Sequence, residues 1–374
     1  MSKYIVIGAG ILGASTAYHL AKSGEQVIII DRQDKGQATD AAAGIVCPWI
    51  SQRRNKAWYN LAKSGAKYYA TLIKELENDD ETNTGYKKIG AISLHTDQEK
   101  LDKMEERACN RRENAPEIGE ITRLTVNETQ NQFPPLLERY SSVKISGAAR
   151  VNGRALRNAL IQAAKKHGAV FRTGSASLVT NDKNIVGVKV NEEVINANRV
   201  IVTAGVWAND ILKPLGINFL VSFQKAQIVH LQIEDTETDN WPVVMPPNDQ
   251  YILAFEGGRV VVGATHENEK EITDTRVTAG GLYEIFDKAL AVAPGLSDAT
   301  ILETRVGFRP FTADFLPVIG PIPSYEGLYV ANGLGASGLT IGPYLGMQLA
   351  KLVNGEPLEI DLNLYDVKKA IQPE

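Results

Sequence analysis

Tyr4-Ile5-Val6-Ile7-Gly8-Ala9-Gly10-Ile11-Leu12-Gly13 is the stretch that decides the fold of this chain. Tyr4 to Ile7 is a short apolar run that reads as a buried strand, and the glycine turn follows at once. Ser15 to Lys22 carries small and apolar residues at helical spacing. Gly24 ends that helix, and Val27 to Ile30 reads as a second buried strand closing on Asp31. Strand, glycine turn, helix, strand and acid in this order make a dinucleotide-binding βαβ unit. Each part has a physical task. Gly8 allows the tight turn, Gly10 lets backbone approach a pyrophosphate, and Gly13 lets the helix pack closely on the strands. The helix N-terminus offers free N–H groups and partial positive charge to phosphates. Asp31 stands where a carboxylate can accept hydrogen bonds from ribose hydroxyls.

The chain has 374 residues, which suits two domains better than one core. Apolar residues make up 44% and charged residues 22%, as in ordinary globular proteins, and the net charge of −4 gives no reason to expect a nucleic-acid partner. The pairs Arg53-Arg54 and Arg111-Arg112 read as solvated. No apolar run has membrane-spanning length, and the N-terminal apolar run reads as the first strand, not a signal peptide. Cys47 and Cys109 form no CxxC pair, so a reducing cytoplasm is the expected compartment. The five histidines never fall at metal-ligand spacing; they read as structural or surface residues, with no metal site.

Further along, Thr39-Asp40-Ala41-Ala42-Ala43-Gly44-Ile45-Val46 is a small-residue run that could lie against a bulky ligand or simply start an Ala-rich helix. Residues 57–78 have helical periodicity, with Trp58, Leu61, Ala62, Tyr69, Leu72 and Leu76 on one face. Residues 85–144 change character and read as an insertion, with a strand near 89–94 and a charged helix over 97–112. The α/β pattern returns at 148 and reaches a strand at 199–202 that runs into Thr203-Ala204-Gly205-Val206-Trp207. Residues 217–305 alternate as an antiparallel sheet does, followed by a helix over 280–293. A strand at 328–331 then leads to Asn332-Gly333-Leu334-Gly335-Ala336-Ser337-Gly338-Leu339-Thr340 and a helix over 342–353. This is a second glycine-rich strand-to-helix turn, more than 300 residues after the first.

Two such turns suit a ligand with two separate polar ends. FAD is one: its pyrophosphate takes the first helix, and the dipole of the second can stabilise negative charge on the reduced flavin. The chain also resembles the D-amino-acid oxidase superfamily, in particular glycine oxidase, the sarcosine oxidases and D-amino-acid dehydrogenases. The resemblance rests on GAGILG with Asp31, TDAAAGIV, VTAGVWA, VVVGATHE, GFRPFTADFLPVIGP and NGLGASGLTIGP, spread over residues 4 to 350. It implies an α/β, Rossmann-like FAD domain assembled from 1–84, 145–216 and 306–374. An α+β substrate domain with an antiparallel sheet would come from 85–144 and 217–305.

By the same resemblance, Gly8, Ala9, Gly10, Ile11, Leu12, Gly13, Asp31 and Arg32 bind FAD. So do Thr39, Ala42, Ala43, Gly44, Ile45 and Val46, then Ala176, Thr203, Ala204, Gly205 and Trp207. Gly335 and Ala336 also bind FAD, and Ser337, Gly338, Leu339 and Thr340 would hold the flavin ring. Arg309 falls on the arginine that binds the substrate carboxylate, and Tyr251 on a tyrosine that lines the substrate pocket. There are departures. Leu334 and Gly335 stand where relatives carry a histidine, Ala336 aligns with a substrate-contacting arginine of glycine oxidase, and Lys225-Ala226-Gln227 replaces Arg-Gly-Gln. No cysteine lies near Arg309, so the FAD is expected to be non-covalent.

The implied reaction is oxidation of the C–N bond of a small amino acid (glycine, sarcosine or a D-amino acid). A hydride passes to flavin N5, and the imino acid hydrolyses to an oxo acid. O2 or another electron acceptor takes the electrons. A quinone- or carrier-coupled dehydrogenase and a non-catalytic flavin-binding subunit are the alternatives, and a homo-oligomer is left open. On residues alone, Arg309 reads better as a structural salt bridge, and Tyr251 reads equally as a core tyrosine.

Overall fold

The computed structural model describes residues 2–372. The first apolar run becomes the strand Lys3–Ile7 at the middle of a six-stranded sheet. Gln26–Asp31 and Arg199–Val202 flank it in parallel, with Tyr4 opposite both Val27 and Arg199. Val170–Thr173 extends the sheet beyond Gln26–Asp31, and Leu328–Asn332 extends it on the other side. Only the edge strand Val318–Pro321 runs antiparallel. Helices cover one face. The three-stranded sheet Ala176–Asn181, Asn184–Val190, Glu193–Asn196 covers the other, where Ile185, Val188 and Ile195 pack with Ile5, Ile7 and Val200. Burial on both faces is why these strands read as continuous apolar runs.

The first helix, Ile11–Lys22, is buried over most of its length. It lies between the helices Gly153–Lys166 and Gly338–Asn354, which brings the two ends of the chain together. The helix Lys56–Asn78 packs on Gly338–Asn354 from outside and buries the predicted face, including Trp58, Leu61, Tyr69, Leu72 and Leu76. Asn55 caps it, accepting the Trp58 N–H at 3.0 Å.

The second sheet has eight strands. Its long pair, Ser222–Gln232 and Thr300–Phe311, is antiparallel and lies at one edge. Arg259–Gly263, Tyr251–Ala254 and Val243–Met245 follow, and the insertion supplies Ala91–His95, Ser141–Ile145 and Ile121–Leu124. Helix Ala279–Leu290 covers one face through Ile285 and Ala289, against Val229, Leu231 and Val260. The expected antiparallel pattern has one exception: Val243–Met245 pairs in parallel with Ala91–His95, where the two separate segments meet. Strand Thr300–Phe311 spans position 305, so Arg309 stands on the same sheet as Tyr251. The run 39–46 forms turns and a two-residue strand, Ile45–Val46, not a helix start. Arg111 is not a merely solvated charge: it donates to the carbonyls of Trp49 and Ser51 at 2.5 and 2.7 Å and lies over the Tyr59 ring.

Two glycines test this packing. A Cβ on Gly65 would lie 2.2 Å from the Thr340 carbonyl oxygen, so Gly65→Ala must push the helix Lys56–Asn78 off its neighbour. A Cβ on Gly280, in helix Ala279–Leu290, meets nothing within 4 Å. In urea unfolding, Gly65→Ala should lose about 1–3 kcal/mol, whereas Gly280→Ala should be neutral or gain up to about 1 kcal/mol. The reverse order would contradict the packing.

Candidate active site

One cavity of about 410 Å³ runs from the first glycine turn to the long strand pair of the second sheet. Its two ends differ in chemistry. At one end lie Gly8, Gly10, Ile11, Leu12, Asp31 and Arg32. Asp31, at the end of its strand, accepts the Ala9 N–H at 2.6 Å on Oδ2, and the Gln33 N–H and Gln37 Nε2 on Oδ1. Oδ2 therefore keeps a free lone pair beside the cavity. The Ile11 N–H is taken by Thr39 Oγ1 at 3.0 Å, while the Leu12 and Gly13 amides find no acceptor among the described residues. Those amides, at the start of a twelve-residue helix, are suited to an anion.

Gly10 and Gly13 do different jobs. A Cβ on Gly13 would come within 1.9 Å of the Gly8 carbonyl oxygen, so this position serves the packing of helix on strand. A Cβ on Gly10 would meet only Thr39 Oγ1, at 3.5 Å. The protein itself has room for it, so packing does not demand glycine here, and the space beside Gly10 opens on the cavity.

The walls between the ends are the expected small-residue segments. Thr39, Ala42, Ala43, Gly44 and Ile45 line the cavity, as do Ala176, Thr203, Ala204, Gly205 and Trp207. Gly335, Ala336, Gly338 and Leu339 bring the N-terminus of helix Gly338–Asn354 to it. Five predicted residues stand behind the wall. Ala9 and Gly13 serve through backbone and packing, and Val46 is buried. Ser337 does not line the cavity either, and its hydroxyl accepts from Trp58 Nε1 at 3.1 Å. Thr340 likewise lies off the cavity and donates to the Ile45 carbonyl. Neither cysteine lines the cavity; burial pushes the Cys47 thiol up to about 12.

At the far end, Tyr251 and Arg309 both face the cavity. Gln224 sits opposite Arg309 in the strand pair, and its Oε1 accepts from Arg309 Nη1 at 3.0 Å. Asn268 Oδ1 takes the other end of the Gln224 amide, at 2.8 Å, which fixes its orientation. Among the described residues no carboxylate lies within ion-pairing distance of Arg309. Burial raises the Tyr251 phenol, opposed by the nearby Arg309 charge, so it stays protonated and can donate. Gly307, one turn of the pleat earlier, would carry a Cβ 2.7 Å from that of Ala41; glycine there lets the 37–41 turn lie directly on the strand.

Sequence reasoning missed two residues of this end. His266 and Asp249 line the cavity, 3.5 Å apart, and Lys288 Nζ bonds Asp249 at 2.9 Å. Burial and then the Arg309 charge lower His266 from its ordinary value. Both lie on irregular segments without a periodic signal. Only the neighbouring Gly-Ala-Thr of 263–265 pointed to His266.

A family model for FAD-dependent oxidoreductases matches residues 3–352. The chain belongs to that family, as its motifs implied, and its cofactor is FAD. It is 64% identical over 371 residues to YurR, an uncharacterized oxidoreductase of Bacillus subtilis, covering 99% of this chain and all of that one. Iminodiacetate oxidase from Chelativorans sp. BNC1 superposes with a TM-score of 0.94 at 47% identity, covering 97% of this chain and 98% of the other. Glycine oxidase from Geobacillus kaustophilus superposes at 0.85 with 26% identity, over 98% and 99% of the two chains. No described helix is long and apolar enough to cross a membrane.

The cavity fits this cofactor: orphan amides at one helix start, a carboxylate lone pair beside them, and a second helix start at the other end. Gly10→Val should therefore release FAD while leaving the chain folded. Absorbance after gel filtration, read with the circular dichroism of the same sample, checks this. Full FAD occupancy in a folded variant would move the phosphate site elsewhere.

Proposed function

We propose that this chain oxidises the C–N bond of a small amino acid whose carboxylate is held by Arg309, and that the preferred donors are N-substituted glycines. One observation carries the reading. Arg309 offers a guanidinium to a cavity wall, held by a neutral amide and paired with no acid among the described residues. A half-buried cation left in this state is suited to an incoming anion, and the planar fork matches a carboxylate. Tyr251 stands beside it as a neutral donor.

FAD, when bound, supplies the two-electron acceptor for the hydrogen leaving the carbon next to nitrogen. The chain supplies position. Arg309 fixes the carboxylate, so the adjacent carbon has one place to go, and the apolar wall of Ala42, Ala43 and Leu339 excludes water. The donor nitrogen must be neutral to share its lone pair, and the imino product hydrolyses to an oxo acid in solution. We take O2 as the electron acceptor, with 217–305 and 85–144 as the substrate-holding segments and the FAD held without a covalent bond. The likeness to iminodiacetate oxidase supports the N-substituted class. Iminodiacetate is a glycine with an N-carboxymethyl group, and His266 stands at the same end of the cavity to donate to a second carboxylate.

Anaerobic flavin reduction by glycine, sarcosine, iminodiacetate, D-alanine, D-proline and L-proline tests this. Arg309→Leu should keep FAD and lose about 2–5 kcal/mol of substrate binding, roughly 30- to several-thousand-fold, for acids only. Arg309→Lys should recover part, having the charge without the fork. Equal loss for an amine lacking a carboxylate would make Arg309 structural. Reduction by primary amines alone would remove the N-substituted class.

A further inference from the structure

Behind the Ala42–Ala43 wall is a second, much smaller pocket of about 10 Å³, lined by Asn152, Gly153, His230, Arg259 and Arg305 among others. The FAD and substrate roles leave it unexplained. The polar groups left over around it are donors. His230 is 4% exposed, and its Nδ1 accepts from Arg259 Nε at 3.1 Å. That bond fixes the neutral tautomer with the proton on Nε2, and Nε2 has no partner. Burial, then Arg305 and Arg259, push this imidazole down to about 3, so it does not charge at ordinary pH. The Arg305 side chain is 9% exposed, and its Nε also has no partner.

The surroundings are positive. Arg259 and Arg305 each reach Glu303 Oε1 at 2.5 Å, and Arg154 lies 3.6 Å from Oε2, so three guanidinium groups share one carboxylate. The pocket also lies at the start of the fourteen-residue helix Gly153–Lys166. Asn152 Oδ1 caps the Ala155 amide, and the Gly153 and Arg154 amides find no acceptor among the described residues. Two buried orphan donors, a helix start and excess positive charge call for an acceptor. The volume admits about one atom. A carboxylate or phosphate is too large. A water would accept both donors but must also place two protons of its own.

We propose that this pocket is a halide site, holding one chloride against His230 Nε2 and Arg305 Nε at the start of helix Gly153–Lys166. Because Ala42 and Ala43 line both pockets, the ion braces the wall of the large cavity from behind.

Crystals of the holoenzyme grown in acetate and soaked in sodium bromide test the site directly. An anomalous peak is expected about 3.3 Å from both His230 Nε2 and Arg305 Nε. In solution, 100 mM chloride or bromide should raise the melting temperature by about 2 °C or more over acetate at equal ionic strength. His230→Phe should abolish that difference, and His230→Gln, which retains a donor, should keep part of it. No bromide peak in the wild-type crystal would leave a water only and overturn the proposal. So would a peak without any melting shift, which means binding at crystal concentration only.

Discussion

The contact between the first helix and the first strand is the constraint on which everything else hangs. A Cβ at Gly13 would fall 1.9 Å from the Gly8 carbonyl and 2.4 Å from Thr203 Oγ1. Thr203 Oγ1 itself donates to the Gly8 carbonyl at 2.9 Å. Helix start, strand end and the strand Arg199–Val202 therefore meet at backbone distance. On the helix's other flank, Ser15 Oγ donates to the Pro343 carbonyl at 2.6 Å. One short helix is thus clamped between elements over 100 residues apart, and its orphan amides end up across one cavity from the start of the last helix.

The second join is made by small residues as well. The 37–41 turn follows the first βαβ unit and lies on Gly307 of the long strand. The Phe308 N–H donates to the Gly36 carbonyl at 2.9 Å. This contact sets Arg309 against the cavity that the nucleotide fold creates. A bulkier residue at 307 would lift the turn and open a gap between the two sheets. The run of small residues at 38–44 makes sense on these terms: it is a thin wall with closely packed backbone on one side and the cavity on the other.

Local periodicity made the framework legible. The βαβ unit, the helix Lys56–Asn78 and the strands Arg199–Val202 and Leu328–Asn332 carry their structure in burial patterns a few residues long. What sequence did not reveal depends on long-range geometry. Whether Thr340 faces a ligand or the Ile45 carbonyl turns on how the helix Lys56–Asn78 packs on it. The parallel pairing of Val243–Met245 with Ala91–His95 joins segments about 150 residues apart, and no local pattern encodes it. His266 and Asp249 come from irregular chain, where side-chain direction follows from neighbours and not from a period. The recognised motifs pointed to Arg309 as a candidate; only the structure gave Gln224 as its partner.

Two adjacent residues show how the protein distributes charge across this sheet. Gln224 and Lys225 point to opposite faces of the strand. Lys225 is fully buried, and the protein supplies its counter-charge: Asp274 at 3.2 Å and Glu267 at 3.9 Å, both on the segment that follows Gly263. Backbone hydrogen bonds between Lys225 and Glu267, at 2.9 and 3.0 Å, hold the same segment to the sheet edge, and with it His266. A buried lysine without those acids would be costly, so the chain neutralises it from within. On the cavity side the chain does the reverse. Gln224 gives Arg309 a neutral carbonyl where an acid would have satisfied it better. An internal carboxylate at 224 would compete with any anionic ligand, whereas an amide orients the guanidinium and leaves its charge available. On the proposed reading, that charge is what an acidic substrate would meet.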